Sequence, residues 1–147
     1  MTTDPIRVLF LCTGNSARSI IAEAVLRHRN DGDFEVFSAG TYPKGINPYT
    51  VKVLEQAELS LDGLSSKPVS QFEGDTFDYV ITVCDQAAEQ CPMFPGDPDR
   101  IHWSFTDPAA VEGSDLEKLA AFQATLREMR QRIDLFTVVA ERRPVRS

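Results

Sequence analysis

Residues 6–11 read Ile-Arg-Val-Leu-Phe-Leu, a nearly continuous apolar, β-prone run of the kind that marks a strand buried on both faces of a parallel sheet. From Ser19 the period becomes helical: Ile20, Ile21, Ala24 and Val25 fall on one face, and Glu23, Arg27 and Arg29 are expected to face solvent. The alternation recurs with Glu35-Val36-Phe37 as a second strand and a helix from about Pro48 to Ala57 that aligns Val51, Leu54 and Ala57. Asp78–Val83 reads as a third strand ending at Cys84. A run of helix formers then starts at Asp85 and stops at Cys91 before Pro92, and Arg100–Trp103 reads as a short fourth strand. Ser114 and Glu117 form a capping box for a last helix whose Leu116, Leu119, Phe122, Leu126, Met129, Ile133 and Phe136 repeat along one face.

Strands alternating with helices predict an α/β fold, a parallel sheet covered on both sides, with ligands bound beyond the carboxyl ends of its strands. Cys12, Cys84 and the loop after Trp103 all fall at such ends.

Composition narrows the possibilities. The 147 residues, 42% hydrophobic and 25% charged, suit one domain spanning 1–147, with the basic tail around Arg142-Arg143-Pro144 (residues 141–147) expected to fray. A formal net charge of -7 argues against a nucleic-acid or anionic-membrane surface, so any anion site must be local. Met-Thr-Thr-Asp-Pro lacks the basic and apolar segments of a secretory signal, and no apolar run approaches the roughly 20 residues of a membrane span. A cytoplasmic, monomeric protein is expected. Three cysteines are too few, and odd in number, for a disulfide framework, and read as reduced thiols.

The candidate chemistry lies in Cys12-Thr13-Gly14-Asn15-Ser16-Ala17-Arg18-Ser19. A cysteine six positions before an arginine, at the turn from a buried strand into a helix, places a nucleophile beneath the backbone N–H groups of Thr13, Gly14, Asn15, Ser16, Ala17 and Arg18. Gly14 allows the tight curvature, the helix dipole and Arg18 supply positive potential, and Ser19 adds a hydroxyl donor. Such a setting favours a thiolate, and the planar fork of Arg18 suits a tetrahedral oxyanion. A bare Cys-x5-Arg match fits a packed core thiol and a surface arginine far better than a catalytic loop.

The longer octapeptide, set between that strand and that helix, resembles the low-molecular-weight protein tyrosine phosphatase superfamily. The likeness extends through Ser38-Ala39-Gly40 and Gly45-Ile46-Asn47-Pro48 to His102-Trp103 and Asp107-Pro108. It implies a flavodoxin-like, three-layer domain with a four-stranded parallel sheet and helices on both faces. It also implies that Asp107 is the general acid that protonates the departing oxygen. Phosphatases of this group carry aromatic residues just after the Asp-Pro pair, where this chain has Ala109 and Ala110, so a stacking wall for a phosphotyrosine ring is missing.

Cys84-Asp-Gln-Ala-Ala-Glu-Gln-Cys91-Pro resembles the redox segment of the thioredoxin-coupled arsenate reductases of that superfamily. The resemblance implies that Cys12 attacks arsenate with help from Asp107, that Cys84 then attacks Cys12 to release arsenite, and that Cys91 attacks Cys84 to pass the disulfide to thioredoxin or a similar thiol protein. Phosphate and sulfate would compete for the anion site, and no tightly bound cofactor or metal is implied. Seven helical residues rise about 10.5 Å, whereas disulfide-bonded Cα atoms lie within about 7 Å, so a helical 84–91 segment must unwind on oxidation.

Asn15 and Ser38 match positions that hold the loop in shape. Some reductases of this type bind potassium through an asparagine, a glutamate, a serine and an aspartate; Asn15, Glu23 and Ser38 match, and Lys67 stands where the aspartate would be. The expectation is that the Lys67 ammonium replaces the cation, pairs with Glu23 and makes potassium unnecessary. Two other readings stay open: a phosphatase working through a Cys12 phosphocysteine, with the extra thiols guarding Cys12 from overoxidation, and a non-enzymatic redox sensor or oxyanion-binding module.

Overall fold

The run Ile6–Cys12 is strand β1, and the computed structural model, which describes residues 4–29 and 32–141, places it inside the sheet. Along the chain follow α1 (Arg18–Arg29), β2 (Phe34–Gly40), α2 (Pro48–Gln56), β3 (Tyr79–Thr82), α3 (Asp85–Glu89), β4 (Asp99–His102) and α4 (Asp115–Glu141). The sheet order is β2-β1-β3-β4 and every pairing is parallel. This is the four-stranded α/β architecture that the alternating pattern predicts. Strand β2 runs past Phe37 because Ser38, Ala39 and Gly40 continue in register with Phe10, Leu11 and Cys12.

Pleating sends alternate residues to opposite faces. On one face, α1 packs on β1 and β2, and α4 packs on α1. Phe136 of α4 meets Phe34, Tyr79 and Trp103 there, with ring centroids 6.1, 5.0 and 5.8 Å away. The other face is covered by α3 and by an aromatic cluster of Phe37, Phe72, Phe77 and Phe94, which a 3₁₀ turn at Val69–Phe72 helps to close. Burying rings of this size supplies on the order of 2 kcal/mol each from area alone.

The capping box forms: the Ser114 hydroxyl accepts the Glu117 N–H at 3.2 Å, and Glu117 reaches back to the Ser114 N–H. Phe122, Leu126, Met129, Ile133 and Phe136 are buried, as their spacing predicts. Leu116 departs from it, being 79% exposed, because α4 has only begun at Asp115 and its first turn overhangs the core. In α2, Val53 and Leu54 carry the burial, with Val51 and Ala57 half-buried. The expected fraying of the tail at Arg142-Arg143-Pro144 lies outside the described residues.

The largest correction concerns Glu23. It does not face solvent: every residue of α1 from Ser19 to Leu26 is buried, and Glu23 is 0% exposed. A helix wedged between a sheet and α4 has little solvent face, so its polar residues must find partners inside. No helix among the described residues is long and apolar enough to cross a membrane.

Candidate active site

Strand β1 delivers Cys12 to the carboxyl edge of the sheet, and the chain then folds tightly before α1 begins at Arg18. The loop carbonyls are turned away from this turn. Those of Cys12, Thr13, Gly14 and Ser16 accept the N–H groups of Thr41, Tyr42, Lys44 and Asn47 at 2.8–3.2 Å. With its oxygens engaged outside, the loop offers an N–H edge to a cleft of about 480 Å³ lined by Cys12, Thr13, Gly14, Ser16, Ala17 and Arg18. Such an edge at a helix N-terminus attracts anions.

The turn needs special backbone. Asn15 adopts a left-handed conformation with φ of 45°, a region that asparagine enters more readily than most residues. Gly40, at the end of β2, lets the sheet press against the loop: a Cβ there would lie 2.6 Å from the Thr13 carbonyl oxygen.

Asn15 also organises the polar interior. Its Oδ1 accepts the Lys67 N–H at 2.8 Å, which fixes the amide orientation, and its Nδ2 donates to Ser19 Oγ at 2.8 Å and Ser38 Oγ at 3.0 Å. Ser19 Oγ lies 2.8 Å from Cys12 Sγ and can donate to it when the sulfur is a thiolate, and Ser38 donates to Glu23 Oε1 at 2.5 Å. The Asn15 N–H adds a second donor to Cys12 Sγ at 3.2 Å. Two groups of the loop and α1 thus converge on the one sulfur.

Glu23 completes this buried network. Its Oε2 pairs with Arg27 Nη2 at 2.5 Å, one helical turn on. Burial pushes the Glu23 carboxyl above its ordinary range; the Ser38 hydrogen bond, Arg27 and Lys67 oppose that rise. The expected Lys67–Glu23 pair does not form. Lys67 Nζ donates to the Ser65 carbonyl at 2.6 Å, and Arg27, placed by the helical period, takes the carboxylate. Burial also lowers the Lys67 pKa.

Arg18 is held at the cleft wall by a hydrogen bond from Nη1 to the Phe105 carbonyl at 3.1 Å. Asp107 faces it, with Oδ2 3.7 Å from Arg18 Nη2, while its Oδ1 accepts the Ala109 N–H and caps a short 3₁₀ turn. Ala109 lines the cleft where an aromatic wall would stand, and Lys44 and Gln86, which the sequence reading did not single out, line its mouth.

All three cysteines are free thiols. Cys84 follows β3 in extended conformation and sits at the N-cap of α3. The register Leu11↔Thr82 continues through the Val83 N–H, which bonds the Leu11 carbonyl, so Cys84 lies just past the strand paired with β1. The Cys84 sulfur currently meets the Thr13 hydroxyl at 3.4 Å. Helix α3 covers only Asp85–Glu89, and half-buried Cys91 follows it on the loop.

Comparison with known proteins places these features in a family. The chain is 38% identical over 129 residues to an arsenate reductase of Halalkalibacterium halodurans, covering 88% of this chain and 93% of that protein. It is 39% identical over 134 residues to an arsenate reductase of Bacillus licheniformis, covering 91% and 96% respectively. Among solved structures, a thioredoxin-dependent arsenate reductase of Corynebacterium glutamicum superposes with a TM-score of 0.62 at 30% identity over 92% of this chain, which spans 65% of that one. The low molecular weight phosphotyrosine protein phosphatase family matches residues 7–142, and the chain belongs to that family.

Proposed function

We propose that this protein reduces arsenate to arsenite by a relay of its three thiols, with thioredoxin or a similar dithiol protein as the final electron donor. The observation that carries this reading is the position of Cys84, a second free thiol just past β3, the strand paired with β1, whose sulfur meets the hydroxyl of Thr13, the residue next to Cys12. No step of phosphate-ester hydrolysis requires a second thiol. The curated relatives with 38% and 39% identity are both named arsenate reductases, in agreement.

In the first step the Cys12 thiolate, held by Ser19 and the Asn15 N–H, attacks arsenic while the loop N–H groups and Arg18 hold the oxyanion. An S–As bond forms, and one oxygen leaves as water with a proton from Asp107. Cys84 then attacks the Cys12 sulfur. The S–As bond breaks with its electron pair passing to arsenic, which leaves as arsenite, and a Cys12–Cys84 disulfide remains. Cys91 attacks Cys84 next, freeing Cys12 and forming a Cys84–Cys91 disulfide that an external dithiol reduces. One arsenate and two thiols thus become one arsenite, one disulfide and one water.

Potassium is not needed in this scheme. Glu23 already has a cation of its own chain, Arg27, and the Ser38 hydroxyl on its other oxygen. The relay requires reduced thiols, which the cytoplasm maintains, and every step uses residues of one chain, so a monomer suffices. A phosphatase reading would share Cys12, Arg18 and Asp107, and a weak side activity on small phosphate esters follows from that overlap.

The test is arsenate-dependent NADPH oxidation coupled through thioredoxin and its reductase, set beside hydrolysis of a small aryl phosphate. Cys84→Ser is expected to abolish the first and spare the second. Arsenate reduction that persists in Cys84→Ser would overturn the reading.

A further inference from the structure

Cys91, the last thiol of the relay, has a cationic neighbour to which the reaction scheme gives no role. Arg100 Nη1 lies 3.7 Å from Cys91 Sγ, while Nη2 bonds the Pro92 carbonyl at 2.9 Å and touches Met93 Sδ at 3.4 Å. One guanidinium therefore grips three consecutive residues.

Its origin gives that grip meaning. Arg100 and His102 are two residues apart on edge strand β4 and so project from the same face of the sheet. His102 Nε2 meets Asp85 Oδ1 at 2.9 Å, directly after Cys84. Strand β4 thus ties down both ends of the segment that joins the two resolving cysteines, through His102 at the Cys84 end and through Arg100 at the Cys91 end.

As a neutral thiol, Cys91 donates to the Pro92 carbonyl at 3.6 Å. Burial pushes its pKa up, and Arg100 is the charged group that pulls it back. Without that cation, the half-buried sulfur would be a poorer nucleophile in the step where it must attack a disulfide.

Resting on the thiol relay proposed above, we infer that Arg100 is a positioning residue for the second thiol exchange, holding the 91–93 segment in place and stabilising the Cys91 sulfur as an anion. The anion attacks Cys84 of the Cys12–Cys84 disulfide. The Cys84–Cys91 bond forms, the Cys12–Cys84 bond breaks, Cys12 leaves with the electron pair as a thiolate, and the proton given up by Cys91 passes to solvent.

The test isolates Cys91 as the single thiol in a Cys12→Ser/Cys84→Ser background and follows its alkylation by iodoacetamide against pH. Arg100→Gln is expected to move the midpoint upward by about half a unit or more, cutting the thiolate present at neutral pH roughly three-fold, and Arg100→Lys is expected to restore it. In the protein with all three thiols, Arg100→Gln should slow formation of the Cys84–Cys91 disulfide about two-fold, since a more basic thiolate is also the better nucleophile. An unmoved midpoint in Arg100→Gln overturns the inference. The titration needs no arsenate, so its failure is distinct from that of the proposed function, which would appear as wild-type protein unable to reduce arsenate.

Discussion

The Ser19 hydroxyl lies 2.8 Å from the Cys12 sulfur, accepts from Asn15 Nδ2 and can give its own proton to that sulfur when it attacks as a thiolate. A hydrogen bond to a charged group contributes about 1.5–3 kcal/mol. Ser19→Ala should therefore slow the attack on arsenate by roughly 10- to 100-fold, and it also leaves one buried Asn15 Nδ2 proton unpaired, at a cost of about 1–3 kcal/mol of stability. Single-turnover formation of the Cys12 adduct measures this directly, and an unchanged rate would remove Ser19 from the mechanism.

Glu23 gives a pH-dependent prediction. Burial raises its pKa in the folded protein above the ordinary 4.5, so the native state binds this proton more tightly than the unfolded chain does. Stability from that proton is fully present below 4.5 and is lost as pH rises through the folded value. Wild type should thus lose stability relative to Glu23→Gln as pH increases above 4.5. Paired thermal melts across the acid range give the comparison; a gap that widens in the opposite direction contradicts the burial argument.

Much of this site could be read from the sequence, and the parts that could not share one cause. The β1–loop–α1 unit was legible because a continuous apolar run, a six-residue Cys-to-Arg spacing and a helical period are all local signals. The helical period alone turns Glu23 to solvent, because its partner Ser38 is 15 residues away on another element, although the four-residue step to Arg27 is present in the chain. Position along the chain pairs the Lys67 ammonium with Glu23, whereas the local backbone offers it the Ser65 carbonyl. Arg100 carried no motif at all, since only the pairing of β3 with β4 brings it beside Cys91.

Gly40 is predicted to tolerate no side chain. A Cβ would meet the Thr13 carbonyl oxygen at 2.6 Å and the Asn15 backbone nitrogen at 2.9 Å, both backbone atoms of the anion loop. Gly40→Ala should cost about 1–3 kcal/mol of stability and weaken phosphate binding as the loop is displaced. Denaturant titration with phosphate affinity alongside checks both; wild-type values for each would refute the claimed close approach.

The α3 helix is predicted to survive only in the reduced protein. Its five residues, Asp85–Glu89, lie between two cysteines that must come within about 7 Å of each other when bonded. Amide exchange at residues 85–91 should accelerate in the Cys84–Cys91 disulfide form, while β1 and β3 keep their protection. Equal protection in both redox states would exclude unwinding.

The central claim is that electrons reach arsenic from Cys12 and Cys84 together, and Cys91→Ser tests it by halting the relay one step early. After one equivalent of arsenate, peptide mass spectrometry should find Cys12 joined to Cys84 by a disulfide, with one arsenite released per protein. Arsenite released while Cys84 remains a free thiol would contradict the account.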